Sequence, residues 1–483
     1  MKRYIIKGLE EYLNTSHHPW HMPGHKRRGI CGSDDVERIG IGELLDGIYG
    51  MDVTEVPGTD DLHHPEGIIK QSQNELARVY ETFASYYLVN GSTCGILTAI
   101  AACFDEENSC GKRSIIVADN CHKSVYNAVS IFGLNPIYIK PVEMAGPRVG
   151  GFISVDDVRD ICENSRDIGA MVLTSPNYEG IISDIGAISG VLKEYGIKLI
   201  VDEAHGAHLP FTGNAVSSIR LGADIVVQSL HKTLPALTQT AVMHVMNEAL
   251  DKAVRRYKAV FMSSSPSYVL LASMENAVAW ACEQDFTDYL RTLDNFRNKA
   301  TGLKRIHILD GRDIIRQGAF DYDETRIVLW SESVSGTRLE ELLSREGNIV
   351  CEMSGLDYVV LISTAMDSDK DFDRLYEVIC RVDEILSNGK SNINYDKNYD
   401  KKSENKQDYN GSIDYYEKNH NDNAKGQEII DKINSLIGTC AKENIYVYPP
   451  GSYICTRGET ITKEKAQILI SYTRSGKKIR GIE

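Results

Sequence analysis

Short runs of β-branched and aliphatic residues alternate with stretches of helical character along the first half of the chain. Between residues 59 and 257 the clearest runs are 114–118, 170–174, 198–201 and 224–227. These runs are continuously apolar, which is typical of strands that are covered on both faces of a parallel sheet. Ligands of such sheets bind at the carboxyl ends of the strands. The pattern therefore predicts an α/β domain with a mostly parallel sheet and a site at one sheet edge.

The same pattern divides the chain into three parts. Residues 1–55 are rich in Gly, His and Pro and are predicted to form an N-terminal arm with one or two short helices. Residues 56–265 are predicted as the large domain that carries the sheet. Residues 266–483 are predicted as a smaller α/β C-terminal domain, with a helical stretch over 268–293 and strands at 326–330 and 358–362.

Residues 388–426 differ in composition from the rest of the C-terminal domain. They consist mainly of Asn, Lys, Asp, Tyr and Ser, with almost no aliphatic residues. Such a segment buries too little apolar surface to offset the entropy lost on ordering, so we interpret it as a mobile low-complexity insertion. Its tyrosines could instead form a recognition strip.

Composition and charge narrow the possible functions. The 483 residues are 42 % hydrophobic and 25 % charged, which is typical of globular proteins. Lys and Arg number 53 against 68 Asp and Glu, and the net charge of −15 argues against a general nucleic-acid binder. The 11 cysteines include no C-x-x-C pair, and no apolar run is long enough for a signal peptide or a membrane span. We therefore expect a cytoplasmic protein with free thiols and no membrane partner.

Lys232 is the first candidate for chemistry. It lies in Q-S-L-H-K-T (228–233), a few residues after a predicted strand, and apolar residues flank it from Leu230 to Leu237. Burial destabilises a lysine ammonium and yields an amine nucleophile suited to Schiff-base formation. Taken alone, a surface lysine would be the simpler interpretation.

Asp202 ends a strongly apolar run and opens D-E-A-H-G-A-H (202–208). A carboxylate buried there requires a cationic partner, and the protonated ring nitrogen of pyridoxal phosphate is one such partner. The letters D-E-A-H also occur in one helicase class, but that class needs a G-x-x-x-x-G-K-[ST] loop, which this sequence lacks. Zinc binding through His21 and His25, or through His205 and His208, is disfavoured, and no metal is predicted.

Two further segments could contact the same ligand. N-G-S-T-C-G (90–95) precedes an apolar helical run over 96–103, so its small residues could cap that helix or hold a phosphate at its N-terminus. Ser229 and His231 could add donors to the same phosphate. His122 follows the run that ends at Ala118 and could stack on a planar cofactor ring, or be a satisfied surface histidine.

Taken together, these segments resemble the Orn/Lys/Arg decarboxylase family of fold-type-I pyridoxal-phosphate enzymes. The most specific similarity is the Schiff-base signature, S-L-H-K-T (229–233) followed by L-T-Q (237–239). The other similar segments follow in order along nearly the whole chain: H-M-P-G-H-K (21–26), T-D-D-L (59–62), P-E-G-I (65–68), N-G-S-T-C (90–94), H-K-S (122–124), T-S-P-N-Y-E-G (174–180), D-E-A-H (202–205), S-S-P-S-Y (264–268) and Y-P-P-G (448–451). Asn177 and Glu179 depart from the family pattern, which has Thr and Asp there. The chain is also too short for the receiver-like N-terminal domain of the inducible members.

The resemblance implies an aminotransferase-like fold, pyridoxal 5'-phosphate as cofactor, and a homodimer whose active sites lie at the interface. It implies that Lys232 forms the Schiff base, that Asp202 pairs with the pyridinium nitrogen and that His122 stacks over the ring. Ala204 leaves room beneath the ring, and His205 lies near the cofactor or the substrate carboxylate. The residues that it implies around the phosphate are Ser92, Thr93, Cys94, Ser229 and His231. Those implied to reach the other subunit's cofactor are Ser264 and Ser265.

The activity implied by the resemblance is decarboxylation of a basic L-amino acid. Arginine to agmatine is the first expectation, lysine to cadaverine the second and ornithine to putrescine the third. In this reaction the substrate's α-amine displaces Lys232, the Cα–carboxylate bond breaks while Asp202 keeps the ring nitrogen protonated, and Lys232 or a nearby histidine returns a proton to Cα. Glu352 or Glu443 could bind the distal cation of the substrate.

Two other hypotheses remain open from the sequence. The chain could be a different fold-type-I enzyme, an aminotransferase or an α-oxoamine synthase, because D-E-A-H occurs in those enzymes too. It could also be a non-catalytic partner protein that only binds the cofactor, although the presence of both Lys232 and Asp202 argues against that.

Overall fold

The computed structural model describes residues 1–14, 47–388, 423–448 and 452–482. The predictions for His21 and His25, for most of the low-complexity insertion and for the P-P-G segment at 449–451 lie outside these residues. Among the helices of the described ranges, none combines the length and the apolar character needed to cross a membrane.

A seven-stranded sheet forms the centre of the large domain. Its strands are β1 (Ala84–Leu88), β2 (Ser114–Ala118), β3 (Asn135–Ile139), β4 (Ile168–Thr174), β6 (Lys198–Asp202), β7 (Ile225–Ser229) and β8 (Ala241–Val245). They are arranged in the order β1-β8-β7-β6-β4-β2-β3. β8 runs antiparallel to both of its neighbours, and the other pairs are parallel. The mostly parallel sheet predicted from the sequence is confirmed.

Helices cover both faces of this sheet, which explains why its strands are apolar throughout. The helices of the described residues up to the end of the large domain include α1 (Tyr4–Leu13), α2 (Ile68–Tyr80), α3 (Gly91–Cys103), α4 (Glu106–Ser109), α5 (Lys123–Phe132), α6 (Val155–Asn164), α7 (Ile185–Glu194), α8 (Leu209–Thr212), α9 (Leu230–Thr233) and α10 (Asp251–Phe261). Short 3-10 helices lie at Ser218–Arg220 and Glu248–Leu250. α3 approaches the sheet closely, because a Cβ at Gly95 would lie 2.7 Å from side-chain atoms of Leu88 and Val227.

The N-terminal helix α1 is held by a buried carboxylate, Glu275, of the helix Tyr268–Glu283 that follows the large domain. Glu275 is fully buried and accepts hydrogen bonds from the backbone N–H groups of Ile5 and Ile6 at 3.0 and 2.9 Å. It also accepts one from the hydroxyl of Ser72 at 2.6 Å. These N–H groups belong to the first turn of α1, where a negative charge is favourable to the helix dipole. The first residues of the predicted arm therefore pack as part of the core.

The C-terminal part contains two separate sheets. The first has the order β12-β13-β11-β9, and a two-stranded pair β10-β5 joins it to the large domain. Its elements, with β5 of the large domain, are β5 (Ile181–Ile182), α11 (Tyr268–Glu283), α12 (Thr287–Ala300), β9 (His307–Ile308), α13 (Gly311–Arg316), β10 (Asp321–Tyr322), β11 (Arg326–Trp330), α14 (Gly336–Gly347), β12 (Met353–Ser354), β13 (Tyr358–Ile362) and α15 (Asp369–Ser387). The strands predicted at 326–330 and 358–362 are present with those bounds.

The second sheet belongs to what we call the C-terminal unit, residues 423–448 and 452–482. Its elements are α16 (Asn423–Leu436), β14 (Ile445–Tyr448), β15 (Ser452–Cys455), α17 (Lys463–Arg474) and β16 (Lys478–Arg480). The strands pair in the order β15-β14-β16, and the unit has its own apolar core. Thr337 and Ser354 tie it to the preceding sheet, through hydrogen bonds to the carbonyl of Ser475 and from Lys477.

A buried histidine network crosses the sheet near β8. His244 is fully buried, its Nδ1 lies 2.8 Å from the hydroxyl of Ser85, and its Nε2 lies 3.2 Å from Oε1 of Gln228. Burial lowers the pKa of His244 to about 3. The folded protein therefore keeps this imidazole neutral, whereas the unfolded chain protonates it below a pH of about 6.5.

This network predicts a pH-dependent stability. Because the unfolded state binds more protons, the free energy of unfolding should fall as the pH falls from about 6.5 towards 3. We expect His244→Asn to reduce the difference in unfolding free energy between about pH 7.5 and about pH 5 by about 2 kcal/mol. Denaturant titrations at the two pH values measure it, and the exposed His64 provides a control as His64→Asn. An unchanged pH dependence in His244→Asn would contradict the assignment.

Candidate active site

The carboxyl ends of the parallel strands meet at one edge of the large sheet, where they open into a cavity of about 890 Å³. β6 and β7 are neighbours, so the residues that end them lie side by side. The cavity also extends between the large domain, the four-stranded sheet and the C-terminal unit. Six of the residues predicted for the site line it: Ser92, His122, Asp202, Ala204, His205 and Lys232.

Lys232 lies in the one-turn helix α9, directly after β7. Its Nζ lies 3.1 Å from Nε2 of His205. Burial lowers the pKa of Lys232, and the negative charges of Asp202 and Glu352 partly oppose this effect. The lysine is thus held at the cavity with its amine more easily deprotonated than in water, as a Schiff-base lysine requires.

Asp202 is the last residue of β6 and is 3 % exposed. Its Oδ1 accepts a hydrogen bond from the backbone N–H of Ala204 at 3.1 Å. Burial raises the pKa of Asp202, while the positive charge of Lys232 opposes the rise. A buried acid of this kind is stabilised in its charged form by a cation placed in the cavity in front of it.

His122 ends the loop after β2 and caps helix α5. Its Nδ1 accepts a hydrogen bond from the backbone N–H of Ser124 at 3.3 Å and lies 2.9 Å from the Ser124 hydroxyl. Burial, together with the charges of Lys232 and Lys123, lowers the pKa of His122 to about 4. The residue therefore presents a neutral, fixed imidazole to the cavity, which is suitable for stacking on an uncharged face of a ring.

His205 is buried beside Lys232 and held from two sides. Its ring centroid lies 4.3 Å from that of Tyr178. Its carbonyl oxygen accepts a hydrogen bond from Nη2 of the fully buried Arg326 at 2.7 Å. Burial, followed by the charge of Lys232, lowers the pKa of His205 well below its usual range. Within the described part of the chain its Nδ1 has no hydrogen-bond partner, so it can still contact a ligand.

Polar groups at the ends of β1 and β7 are suited to an anion. Gly91 starts α3 with a positive φ of 75°, and the preceding residue, Asn90, makes no side-chain hydrogen bond to the N–H groups of this helix start. The hydroxyl of Ser229 is buried and has no partner among the described residues. His231 donates from Nδ1 to the carbonyl of Thr240 at 2.9 Å, which leaves its Nε2 for another contact.

Six predicted cofactor residues are not among those that line the cavity: Ser229 and His231, described above, and Thr93, Cys94, Ser264 and Ser265. Thr93 is exposed, while Cys94 is only 3 % exposed and burial raises the pKa of its thiol to about 12. The Cys94 side chain therefore packs in the core, and only its backbone N–H remains at the start of α3. Ser264 and Ser265 are exposed. Their neighbour Ser263 donates a backbone hydrogen bond to Oδ1 of Asn90 at 3.0 Å, so the serine run lies close to the start of α3.

The structure adds residues that the sequence did not indicate as functional. Tyr178 lies within a segment already similar to the family, and its aromatic character was the available signal. Arg326 is distant in sequence from His205 and looks like an ordinary strand start. The C-terminal unit contributes Glu459 and Lys465, which form an ion pair at the cavity. No local motif distinguishes either of them.

His205 and His208, the pair weighed above as zinc ligands that lies within the described residues, have other partners. His208 is buried and its Nε2 lies 3.2 Å from the carboxylate of Asp323. His205 instead faces Lys232. Within the described ranges, no three His, Cys, Asp or Glu side chains are grouped so that they could hold a metal ion.

A lysine and a buried carboxylate at the ends of neighbouring strands, with a histidine beside the same cavity, match the arrangement implied by the sequence. The family model for "Orn/Lys/Arg decarboxylase, major domain" matches residues 4–318. The chain belongs to the Orn/Lys/Arg decarboxylase family. The enzyme class, a pyridoxal-phosphate-dependent amino-acid decarboxylase, is thereby confirmed. This assignment takes precedence over the aminotransferase, α-oxoamine synthase and non-catalytic hypotheses.

Individual proteins show the same similarity over nearly the whole chain. An uncharacterized protein, YaaO, of Bacillus subtilis is 31 % identical over 97 % of this chain and 94 % of its own length. An arginine decarboxylase of the same species is 26 % identical over 99 % of this chain and 95 % of its own. The structure of the Francisella novicida lysine decarboxylase LdcF superposes with a TM-score of 0.73 at 18 % identity, covering 99 % of this chain and 79 % of that one. The fold-type-I architecture is confirmed.

The residues at the cavity fit pyridoxal phosphate. Lys232 supplies the amine, and the buried Asp202 supplies the counter-charge that a protonated ring nitrogen needs. The unpartnered hydroxyl of Ser229 and the N–H groups at the start of α3 provide donors for the phosphate. A buried donor without a partner is costly, so the Ser229 hydroxyl fits a site that receives an anion.

Proposed function

We propose that this protein decarboxylates L-arginine to agmatine and CO₂, with lysine as the second and ornithine as the third candidate substrate. The single observation that carries the reaction type is the placement of Lys232 and Asp202 at one cavity, at the ends of the adjacent strands β7 and β6. The preference for arginine is supported by the arginine decarboxylase that matches the chain over almost its full length. The lysine decarboxylase found by fold keeps lysine as the next candidate.

Pyridoxal phosphate, when bound, supplies the electron sink that accepts the bonding electrons of the broken Cα–carboxylate bond. Asp202 holds a negative charge at its buried carboxylate, which favours a proton on the group that faces it. His122 is kept neutral, because burial lowers its pKa to about 4, and so it adds no competing positive charge. The chain's own contribution is therefore to fix charge and orientation before the bond breaks.

Lys232 and His205 form the hydrogen-bonded pair of the proposed site. Their nitrogens lie 3.1 Å apart, within hydrogen-bond distance. Burial lowers the pKa of both groups, and that of His205 well below its usual range, so His205 is a neutral imidazole whose Nε2 can accept a hydrogen bond from Nζ of Lys232. Arg326 fixes the position of His205 by donating to its carbonyl oxygen. We assign to Lys232, with His205 behind it, the return of a proton to Cα.

We also propose that the active enzyme is a homodimer with the active sites at its interface. Ser264 and Ser265 are exposed on the chain and lie outside its own cavity, while Ser263 connects them to Asn90 at the start of α3. Both observations support a role for the two serines at the cofactor site of a second subunit. They also explain why small, polar and exposed residues stand at this position.

The substrate is tested by offering arginine, lysine and ornithine separately to the purified protein with added pyridoxal phosphate. We expect release of agmatine, identified by mass, with the highest kcat/KM for arginine and no amino-group transfer to a 2-oxoacid. Light scattering on the same preparation should give the mass of two chains. Failure to release an amine from any of the three amino acids would overturn the proposed activity, and a fully active monomer would overturn the shared site.

A further inference from the structure

Tyr178 forms a wall of the cavity that leads away from the reacting lysine. Its ring centroid lies 4.3 Å from that of His205 and 5.9 Å from Nζ of Lys232. Its hydroxyl donates a hydrogen bond to Oε1 of Glu352 at 2.9 Å. Tyr178 belongs to the loop after β4, whereas Glu352 immediately precedes β12 of the four-stranded sheet. The pair therefore connects the reacting centre with a carboxylate that lies next to Met353, a residue that lines the cavity.

Six acidic residues line the cavity, and three of them have partners or tasks; the other three are Asp119, Glu143 and Glu464. Glu459 is paired with Lys465 in the C-terminal unit. Glu179 accepts a hydrogen bond from the hydroxyl of Tyr358 at 2.5 Å, and burial raises its pKa. Asp202 faces the cofactor position. Glu352 is exposed and accepts the hydrogen bond from Tyr178, and its negative charge, after that of Asp202, opposes the lowering of the Lys232 pKa by burial.

The spacing suits the side chain of a basic amino acid. The substrate's α-amine takes the place of Nζ of Lys232, and an extended lysine or arginine side chain carries its cation on the order of 6 Å from Cα. The face of Tyr178 lies along that path and already has one cation, Lys232, near it. A planar guanidinium can stack on this ring and donate to Glu352 at its far end.

We propose that Tyr178 and Glu352 form the subsite for the distal cation of the substrate. This inference rests on the proposed function and names the residues that select a basic side chain. Glu352 supplies the negative charge, and Tyr178 supplies an aromatic face and a hydroxyl that fixes the carboxylate. Glu352 and Glu443, the two acidic candidates from the sequence, are both exposed and neither is among the residues that line the cavity, but Glu352 is hydrogen-bonded to Tyr178, which does line it.

The holoenzyme and its Glu352→Gln variant would be compared with arginine, lysine and norleucine, which lacks the distal cation. We expect Glu352→Gln to raise KM for arginine and lysine about 10–100-fold, because a hydrogen bond between charged groups is lost. The kinetics with norleucine should stay within about twofold. Calorimetry with agmatine, which cannot be decarboxylated, should show its Kd rising by a similar factor. Tyr178→Phe, which keeps the ring, should raise KM for arginine by about 3–10-fold.

Two variants serve as comparisons. Glu377→Gln changes an exposed glutamate of α15 away from the cavity and should alter none of these constants. Glu443→Gln tests the competing candidate. Three results would each overturn the subsite. Glu443→Gln could raise KM for arginine and lysine selectively. Glu352→Gln could impair the kinetics with norleucine as much as those with arginine, or leave every KM and the Kd of agmatine unchanged. If the unmodified enzyme released no amine while agmatine binding still depended on Glu352, the proposed function would fail and the subsite would stand.

Discussion

Lys232→Ala is expected to abolish amine production and the long-wavelength absorption that a cofactor gains when it is bound to lysine. The loss of turnover should be about 10⁴-fold or more, because no other group at the cavity offers an amine nucleophile in the same position. Lys232 lies directly after β7 with its Nζ 3.1 Å from His205, and burial lowers its pKa. Absorption spectra and product analysis by mass measure the two effects on the same sample.

Lys258 provides the matched control for this experiment. It is only 1 % exposed, its Nζ donates to the carbonyl of Leu62 at 3.0 Å, and burial lowers its pKa to about 8. It is thus a second buried lysine near the start of α3, but it has a backbone partner. Folded Lys258→Met should keep the absorption band. If the absorption band remained in Lys232→Ala and disappeared in Lys258→Met, the Schiff base would have to be assigned to Lys258.

Asp202→Asn is expected to lower kcat for the preferred amino acid by about 10²–10³-fold, with the folded structure retained. The amide has the shape of the carboxylate and can still accept from the N–H of Ala204, but it carries no charge to stabilise a protonated ring nitrogen. The effect should fall on kcat more than on KM, because the charge acts on the reacting group and does not contact the substrate. Steady-state kinetics at saturating cofactor measure this division.

The adjacent Glu203 distinguishes a local effect from a general one. It is fully buried and accepts hydrogen bonds from the Ser217 hydroxyl at 2.6 Å, the Ser218 N–H at 2.5 Å and the Gln228 amide at 2.7 Å. Glu203→Gln should lower the free energy of unfolding by about 1–3 kcal/mol and leave kcat nearly unchanged. If Asp202→Asn kept kcat within about threefold, the carboxylate would have no role at the ring nitrogen.

The sequence predicted the large sheet better than its edges. The runs at 114–118 and 198–201 correspond to β2 and β6, because central parallel strands are apolar on both faces. The strands β1, β3 and β8 were not recognised. β3 lies at the sheet edge with partly exposed residues, and the antiparallel β8 interrupts the regular strand–helix alternation. Their pattern is therefore weaker than that of the central strands.

The division of the C-terminal region into two sheets could not be predicted from the local sequence pattern. The sequence suggested one smaller domain, and the described residues contain two sheets there, of which the second has its own core. The strands β14, β15 and β16 are short and follow a polar segment. Their pairing depends on contacts among them and with α17, so it could not be inferred from any single run.

The sequence by itself determined which chemical groups stand at the strand ends. Lys232, Asp202 and His122 each follow an apolar run by a few residues, and contiguous residues decide where a buried strand stops. The tertiary structure alone decided what these groups meet. It placed His205 against Lys232, Arg326 against the carbonyl of His205, and the Cys94 side chain in the core. Such contacts join residues far apart in the chain and depend on how the helices and sheets pack, which no local pattern records.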